Sequence, residues 1–185
     1  MSEQGYAIEH CIADVKATLA AKGVTQEGLE GVGKHLQRLT SRDDLLGEVE
    51  HEMLHGQVTF RRLHKESDGL TLILARFSAE EATPIHNHGT WGVLCPYRGR
   101  DRYEGWRRAD DGSKPGFALV EKVFERILEP GDIVYWFDPP NDIHRQQGMG
   151  EAAWELILVG KDFSMLPRLY FDPERNTVQE MAATH

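Results

Sequence analysis

TPIHNHGTWG, residues 83–92, places two histidines at spacing i, i+2 shortly after a proline. Alternate residues of a β-strand point to the same face of the sheet, so His86 and His88 are expected to present two imidazoles to one side. Two imidazoles on one face can bind a single metal ion without backbone strain, and imidazole is a common ligand of transition metals. This stretch therefore predicts one half of a metal site on a strand.

A third histidine belongs to the stretch GDIVYWFDPPNDIHRQQ, residues 131–147. A Gly-Asp turn, a short apolar strand and a proline-rich turn precede His144 there. A neighbouring strand of a closed barrel would bring this imidazole inward toward the first two. The alternative is that the three histidines are unrelated surface or core residues.

The chain around these two stretches is typical of an all-β domain. From about residue 57, short runs rich in β-branched and aromatic residues follow one another, with Gly, Pro, Asp and Asn between them. The runs are QVTFRR, LTLILARF, TWGVLCPY, DRYEGWRR, KVFERILE, DIVYWF and AWELILVG. Short strands without intervening helices predict an antiparallel sandwich or barrel.

The first third of the chain is expected to be helical. Apolar residues recur at helical spacing in residues 8–19 and again in residues 29–39, where Thr25 is a plausible N-cap. A third segment runs from Ser41 to Gly56. We predict a single domain, residues 1–185, in which two or three helices of the region 1–56 pack outside a β-barrel formed by residues 57–166. The tail, residues 167–185, is expected to be irregular and to fold back over the barrel.

Composition limits the possible partners and location. The formal net charge of −9 argues against nucleic acid as the main partner, because phosphate binding depends on Lys and Arg. It is compatible with a small anionic substrate, since one buried Arg can hold a carboxylate. Neither a basic leader nor a membrane-length apolar run is present, and Cys11 and Cys95 are too few for a disulfide framework. We therefore expect a cytoplasmic protein without membrane partners.

The two histidine stretches resemble the two motifs of the cupin superfamily. More narrowly, TPIHNHGTWGVLCPYRG resembles the metal strand of bacterial thiol dioxygenases, the cysteine dioxygenase and 3-mercaptopropionate dioxygenase group; RLYFDPE and the helical N-terminus are also similar to theirs. The resemblance implies a mostly β cupin barrel, the double-stranded β-helix, with iron(II) bound by His86, His88 and His144. It also implies oxidation of a small thiol, with a thiol carboxylate favoured, to a sulfinate by O₂.

Many cupins have a Glu four or five residues after the paired histidines, where this chain has Gly92 and Val93. The predicted ligand set is therefore three neutral imidazoles without a carboxylate, as the thiol dioxygenase group implies. Three facial imidazoles leave open positions for a bidentate substrate and O₂. Imidazole also accepts Mn, Ni or Zn.

The chain departs from that group along its late strand. The group has Ser, His and Tyr there, and the aligned positions are Glu155, Ile157 and Val159. Gly92 matches the Cys that one subgroup cross-links to its Tyr, and Cys95 is interpreted as a core residue. A replacement Tyr could come from another strand, with Tyr97, Tyr103 and Tyr135 as candidates. Glu155 is expected either to face the interior, as a hydrogen-bond acceptor or general base, or to face solvent after a register shift.

Substrate contacts are predicted from two arginines and one tryptophan. Arg168 matches an Arg of the mercaptopropionate-type enzymes, and Arg62 matches one of the cysteine-type enzymes. Each could clamp a carboxylate through two parallel hydrogen bonds, or be an exposed arginine on the barrel rim. Trp91 is either a wall of the pocket or core filler. The expected partners are a small-molecule substrate and O₂, with a homodimer as the assembly to test.

Three other functions stay open at this stage. A three-histidine cupin could cleave a carbon–carbon bond of a diketone-like substrate, or bind a metal without turnover. The segment HEMLH, residues 51–55, matches the HExxH pattern of zinc peptidases. Against a peptidase, Gly56 follows the match at once and no third ligand follows on a helix.

Overall fold

The structure is a computed structural model that describes residues 5–42, 45, 47, 49, 53, 59–162 and 165–181. Its described elements are two helices and eleven strands. The helices are α1 (Ile8–Lys22) and α2 (Gln26–Thr40). The strands are β1 (Phe60–Lys65), β2 (Thr71–Phe77), β3 (Ile85–His86), β4 (Gly92–Arg98), β5 (Asp101–Arg108), β6 (Val120–Leu128), β7 (Val134–Trp136), β8 (His144–Gly148), β9 (Ala153–Val159), β10 (Arg168–Asp172) and β11 (Thr177–Met181).

The two helices include the two segments of apolar spacing, and α2 begins directly after the predicted N-cap Thr25. Gly23 follows α1 at a φ of 66°, a left-handed conformation that glycine adopts without a steric cost. The Thr25 hydroxyl accepts a hydrogen bond of 3.1 Å from the backbone amide of Gly28 and caps α2. The third predicted helix, Ser41 to Gly56, lies mostly outside the described residues. Neither α1 nor α2 is long and apolar enough to cross a bilayer.

The strands form two antiparallel sheets. One has the order β1-β2-β9-β4-β7, and the other has the order β11-β10-β3-β8-β5-β6. The prediction of a mostly β protein is confirmed, but the expected single closed barrel is replaced, among the described strands, by two separate sheets. The sheets face each other, because Tyr103 and Leu128 of the second sheet pack against apolar side chains of the first.

The central strands of the five-stranded sheet, β2, β9 and β4, are buried on both faces. The sheet's inner face, which includes Ile73, Leu94 and Ile157, packs toward the second sheet. Its outer face, which includes Leu74 and Leu156, packs against α1 and α2, as predicted for helices outside the β-structure. Burial on both faces explains why β9 is a nearly continuous apolar run instead of an alternating one.

The tail corrects a prediction. Residues 168–181 are not irregular: they form the β10–β11 hairpin, with Asn176 at a φ of 53° in its turn. β10 also pairs with β3, where Tyr170 lies opposite His86. The β10–β3 ladder depends on pairing with a strand some eighty residues earlier, which local patterns in the tail do not reveal.

Candidate metal centre

The three histidines of the sequence motifs meet between the two sheets. His86 on β3 lies directly opposite His144 on β8. His88 lies two residues after the end of β3. All three side chains are buried, and one ring nitrogen from each lies within 4.8 Å of the others. Adjacent strands of one sheet thus bring the three imidazoles close enough together to bind one metal ion.

Hydrogen bonds hold the histidine segment in place. The Nδ1–H of His86 donates to the Pro84 carbonyl at 2.8 Å, which leaves Nε2 with a free lone pair. Asp142 Oδ2 accepts from the backbone amides of His88 at 3.1 Å and Gly89 at 2.7 Å. The carboxylate two residues before His144 therefore fixes the loop that carries His88.

The imidazoles are neutral at pH 7. Burial and, to a lesser degree, the nearby Arg168 guanidinium lower the pKa of His86 to about 4. Burial also holds the pKa values of His88 and His144 well below their usual range, with contributions from the neighbouring histidines and Arg168. Neutral imidazoles keep a lone pair on one nitrogen, which is the form that binds metal.

The donor set fits a first-row divalent metal ion. The Nε2 atoms of His88 and His144 lie 3.0 Å apart, so they share one proton that a metal ion would displace. The Nδ1 atom of His144 is buried without a hydrogen-bond partner among the described residues. Three imidazoles without a carboxylate ligand match the expected set, and the ion itself is not identified by this geometry.

Three aromatic rings surround the imidazoles. Trp136 lies 5.6 Å from His88 and 5.0 Å from His144 between ring centroids, Tyr103 lies 5.3 Å from His144, and Tyr170 lies 6.0 Å from His86. Sequence reasoning missed Trp136 and Tyr170. The signal for Trp136 was its alternation with Val134 on β7, which places both side chains on the inner face.

Gly92 is explained by its neighbour Trp136. A Cβ atom at residue 92 would overlap the indole ring of Trp136, which lies directly across the β4–β7 pair. The space that a side chain at residue 92 would need is thus filled by an indole from the neighbouring strand β7.

A cavity of about 420 Å³ opens beside the histidines. Its apolar wall includes Ile73, Ala75, Phe77 and Ile157 from the five-stranded sheet. Its polar lining includes His86, His88, Gln146, Arg168 and Tyr170 from the six-stranded sheet. The volume is that of a small-molecule site with a few convergent polar groups.

Arg168 lies inside this cavity. One guanidinium nitrogen, Nη2, lies 2.8 Å from Nδ1 of His88, and Nε donates to the Asn87 carbonyl at 3.4 Å. The side chain also contacts Tyr170. The structure therefore brings Arg168 and the three predicted ligands into one site.

Glu155 faces the interior but does not line the cavity. It is fully buried on β9, and its Oε2 accepts from Gln146 Nε2 at 2.7 Å. Gln146 also donates to Asp101 Oδ2 at 3.1 Å. Burial and the neighbouring Asp101 raise the pKa of Glu155 well above its usual range, and burial raises that of Asp101 to about 6. Gln146 thus stands between the carboxyl pair and the cavity.

Two predicted substrate contacts are not brought to the site. Arg62 is exposed on β1 and pairs with Asp162 at 3.0 Å, outside the cavity lining. Trp91 packs in the core between the five-stranded sheet and the helices, which is the core-filler alternative. Arg62 lies on β1 and Trp91 directly precedes β4, and neither side chain points into the cavity.

The three candidates for a replacement tyrosine lie on different faces of the β-sheets. Tyr97 donates to the Arg42 carbonyl at 3.0 Å and packs on the helix side with Tyr135. Tyr103 alone of the three lies beside a metal-site histidine.

Cys95 is buried in the core, as interpreted from the sequence. Of the five residues of the HExxH segment, the structure describes only Met53. The predicted zinc-peptidase motif therefore lies outside the described residues.

Comparisons with known proteins find similarity at the level of structure. No family model and no curated protein matches the chain. Similar solved structures include the dimethylsulfoniopropionate (DMSP) lyase DddQ from Ruegeria pomeroyi, with 20% identity and a TM-score of 0.39, and an oxalate oxidase, with 16% identity and a TM-score of 0.40. A cupin-like protein from Thermotoga maritima has 17% identity and a TM-score of 0.39.

These similarities are partial. The match to the DMSP lyase covers 54% of this chain and 45% of the lyase, and the match to the oxalate oxidase covers 51% and 43%. The match to the Thermotoga protein covers 64% of this chain and 83% of that one. The chain therefore spans less than half of the lyase and oxidase chains that it resembles.

Proposed function

We propose that this protein is a cupin-type iron(II) dioxygenase that oxidises a small thiol carboxylate to its sulfinate with O₂. The observation that carries the proposal is the pairing of two features in one cavity. Three buried, neutral imidazoles converge without a carboxylate, and the Arg168 guanidinium lies against one of them.

The charge of this site favours an anionic ligand. A divalent ion held by neutral imidazoles keeps its full charge, and Arg168 adds another positive charge beside it. Because the histidines are buried, these charges attract an anionic ligand more strongly than they would in water. A thiolate and a carboxylate on one small molecule would offset two of these three positive charges, so a thiol carboxylate suits the site better than a neutral ligand.

His86, His88 and His144 would hold the ion, and iron(II) would couple the reduction of O₂ to the oxidation of the thiol sulfur, which supplies all four electrons. Mn, Ni and Zn compete for the same imidazoles. In this proposal Arg168 binds the substrate carboxylate by two parallel hydrogen bonds. The apolar wall of Ile73 and Ile157 excludes water from the reacting thiol.

Tyr103 is proposed to take over the role of the missing late-strand tyrosine. Burial, with Glu155 and Asp101 nearby, raises the pKa of Tyr103 well above its usual range. The phenol therefore stays protonated and can donate a hydrogen bond beside His144. Glu155 is proposed to act on this site through Gln146, because it has no place in the cavity lining.

An oxygen-electrode screen tests this function. Protein loaded anaerobically with iron(II) is supplied with thiol carboxylates, aminothiols and β-diketones, and O₂ uptake is recorded for each. We expect uptake with at least one thiol carboxylate and none with the His86→Ala, His144→Ala double variant. Inert thiols together with a consumed β-diketone would overturn the proposal.

One observation favours the carbon–carbon cleavage alternative. The cavity wall facing the histidines is apolar and the polar late-strand partners of the thiol dioxygenases are absent, since Ile157 and Val159 occupy two of those positions. A diketone chelates through two oxygens and needs no such partner. The same screen separates the two reactions, and metal binding without any O₂ uptake would point to a non-catalytic cupin.

A further inference from the structure

We propose that the side-chain carbonyl of Gln146 selects substrates that carry a hydrogen-bond donor, an amino or hydroxyl group, next to their carboxylate. This inference rests on the proposed function and specifies its substrate class. It is carried by the way Gln146 is held: both hydrogens of its amide are used behind the cavity, so its oxygen is the atom left for a ligand.

The orientation of the amide follows from its neighbours. Nε2 lies 2.7 Å from Glu155 Oε2 and 3.1 Å from Asp101 Oδ2. An amide NH₂ group has two hydrogens and satisfies both oxygens at once. In the reversed amide, the Gln146 oxygen would lie against the carboxyl oxygens of Glu155 and Asp101. At least one of these two oxygen–oxygen contacts would then lack a hydrogen bond.

Other contacts hold the carboxyl pair in position. Asp101 Oδ1 accepts from the backbone amide of Gln147 at 2.9 Å, which joins it to β8. Asp101 and Glu155 are both fully buried, so neither can turn to solvent without a large rearrangement. Glu155 and Asp101 are therefore positioning residues, and Gln146 is the residue that meets the ligand.

Gln146 Oε1 has no hydrogen-bond partner among the described residues, although the side chain lines the cavity. A bound molecule with a hydrogen-bond donor would give this oxygen a partner when it displaces water from the cavity. A ligand without a donor would instead seal this oxygen from water, which lowers its affinity.

Strand register places Gln146 and Arg168 on opposite sides of the histidines. Tyr170 and His144 both lie opposite His86; Arg168 precedes Tyr170 by two residues, and Gln146 follows His144 by two. β10 and β8 run in the same direction with β3 between them, so the two backbones are about 10 Å apart across the sheet and about 13 Å apart along it. Two long side chains pointing inward can hold one small molecule between them.

The test uses ligands that differ at one position. Cysteine, 3-mercaptolactate and 3-mercapto-2-methylpropionate share a thiol and a carboxylate, and carry an amino, a hydroxyl or a methyl group on the same carbon. Binding is measured by calorimetry on zinc-loaded protein under anaerobic conditions, where no turnover occurs. The variants are Gln146→Leu and, as a matched control, Gln147→Leu, whose Nε2 donates to the Ala79 carbonyl outside the cavity lining.

We expect wild type to bind the amino and hydroxyl ligands roughly tenfold more tightly than the methyl ligand, as one hydrogen bond to an otherwise sealed acceptor implies. The preference should disappear in Gln146→Leu and persist in Gln147→Leu. Equal binding of all three ligands to wild type would overturn the inference, and that comparison needs no variant to fold. A preference that survives in Gln146→Leu would also overturn it.

The two proposals can fail separately. Oxidation of thiols by the iron-loaded protein, without any donor preference in the zinc-loaded protein, would contradict only the role of Gln146. A donor preference that depends on Gln146, without oxidation of any thiol, would contradict only the proposed reaction.

Discussion

Nη2 of Arg168 lies 2.8 Å from Nδ1 of His88, one of the three predicted metal ligands. The same Nη2 lies 3.4 Å from Nε2 of His88, which faces His144 Nε2 at 3.0 Å. A guanidinium can only donate, so it competes with a metal ion for the lone pairs of this ring. Metal binding and the position of Arg168 are therefore coupled.

This coupling predicts that Arg168→Met binds metal more tightly than wild type. The variant keeps much of the side-chain volume but removes a positive charge and a competing donor beside the ligands. We expect the affinity for zinc to rise by at least about tenfold, measured by competition with a chromophoric chelator. Unchanged affinity in Arg168→Met would show that the guanidinium moves aside without cost. Arg62→Met, at the surface, is the matched control.

The ligand assignment predicts loss of metal from histidine variants. Removing His86 and His144 together leaves one imidazole, and the affinity of such a site falls sharply because each ligand contributes to one coordination sphere. Elemental analysis of protein from iron-replete growth should show little iron in the double alanine variant. His64→Ala, which removes a histidine outside the cavity that pairs with Glu66, should retain the wild-type content. Full iron occupancy in the double variant would rule out these ligands.

Arg168 is also predicted to bind the substrate carboxylate. Arg168→Ala should raise KM more than about tenfold for a thiol carboxylate, because an unpaired charge in a partly desolvated site costs roughly 2–5 kcal/mol. It should change KM little for an aminothiol without a carboxylate. Arg168→Lys should restore part of the loss, since an ammonium cannot form the two parallel hydrogen bonds. If Arg168→Ala leaves the efficiency ratio of the two substrates unchanged, Arg168 does not bind the carboxylate.

The buried carboxyl pair predicts a stability that falls as pH rises. Burial raises the pKa of Asp101 to about 6 and that of Glu155 well above its usual range, so the folded state holds protons that the unfolded state releases from about pH 4 upward. Stability decreases with pH wherever the native state binds more protons.

The measurement is urea unfolding of metal-free wild type and Glu155→Gln between pH 4.5 and 6.5. Over that range wild type should lose about 2–3 kcal/mol relative to the variant, which corresponds to one extra bound proton. Comparison with Glu155→Gln cancels the opposite trend of surface carboxylates such as Asp110, whose pKa is lowered by Arg108. Parallel pH curves would mean that Glu155 is ionised in the folded protein.

Much of this site could be predicted from the sequence because its main signal is local. His86 and His88 share a face by strand alternation, and His144 follows its own proline-rich turn, so each motif could be identified without tertiary information. The helices at residues 8–22 and 26–40 were predictable from their apolar spacing and from the Thr25 cap.

The rest depends on pairing between distant strands. Nothing near Arg168 indicates that β10 lies beside β3, yet that pairing alone brings its guanidinium to His88. Arg62 and Trp91 were plausible by alignment, but the face of a strand decides whether a side chain reaches the cavity, and a shift of one residue reverses it. Gln146 carried no motif, and its role depends on two carboxyls from β5 and β9.

The central claim is tested most directly by the fate of isotopically labelled O₂. Iron-loaded protein is allowed to turn over a thiol carboxylate under labelled dioxygen in unlabelled water, and the product is analysed by mass spectrometry. The account predicts a sulfinate with both of its new oxygen atoms from dioxygen, formed with one O₂ consumed per thiol. A disulfide, a sulfinate whose oxygens come from water, or an absence of product beside a cleaved β-diketone would contradict it.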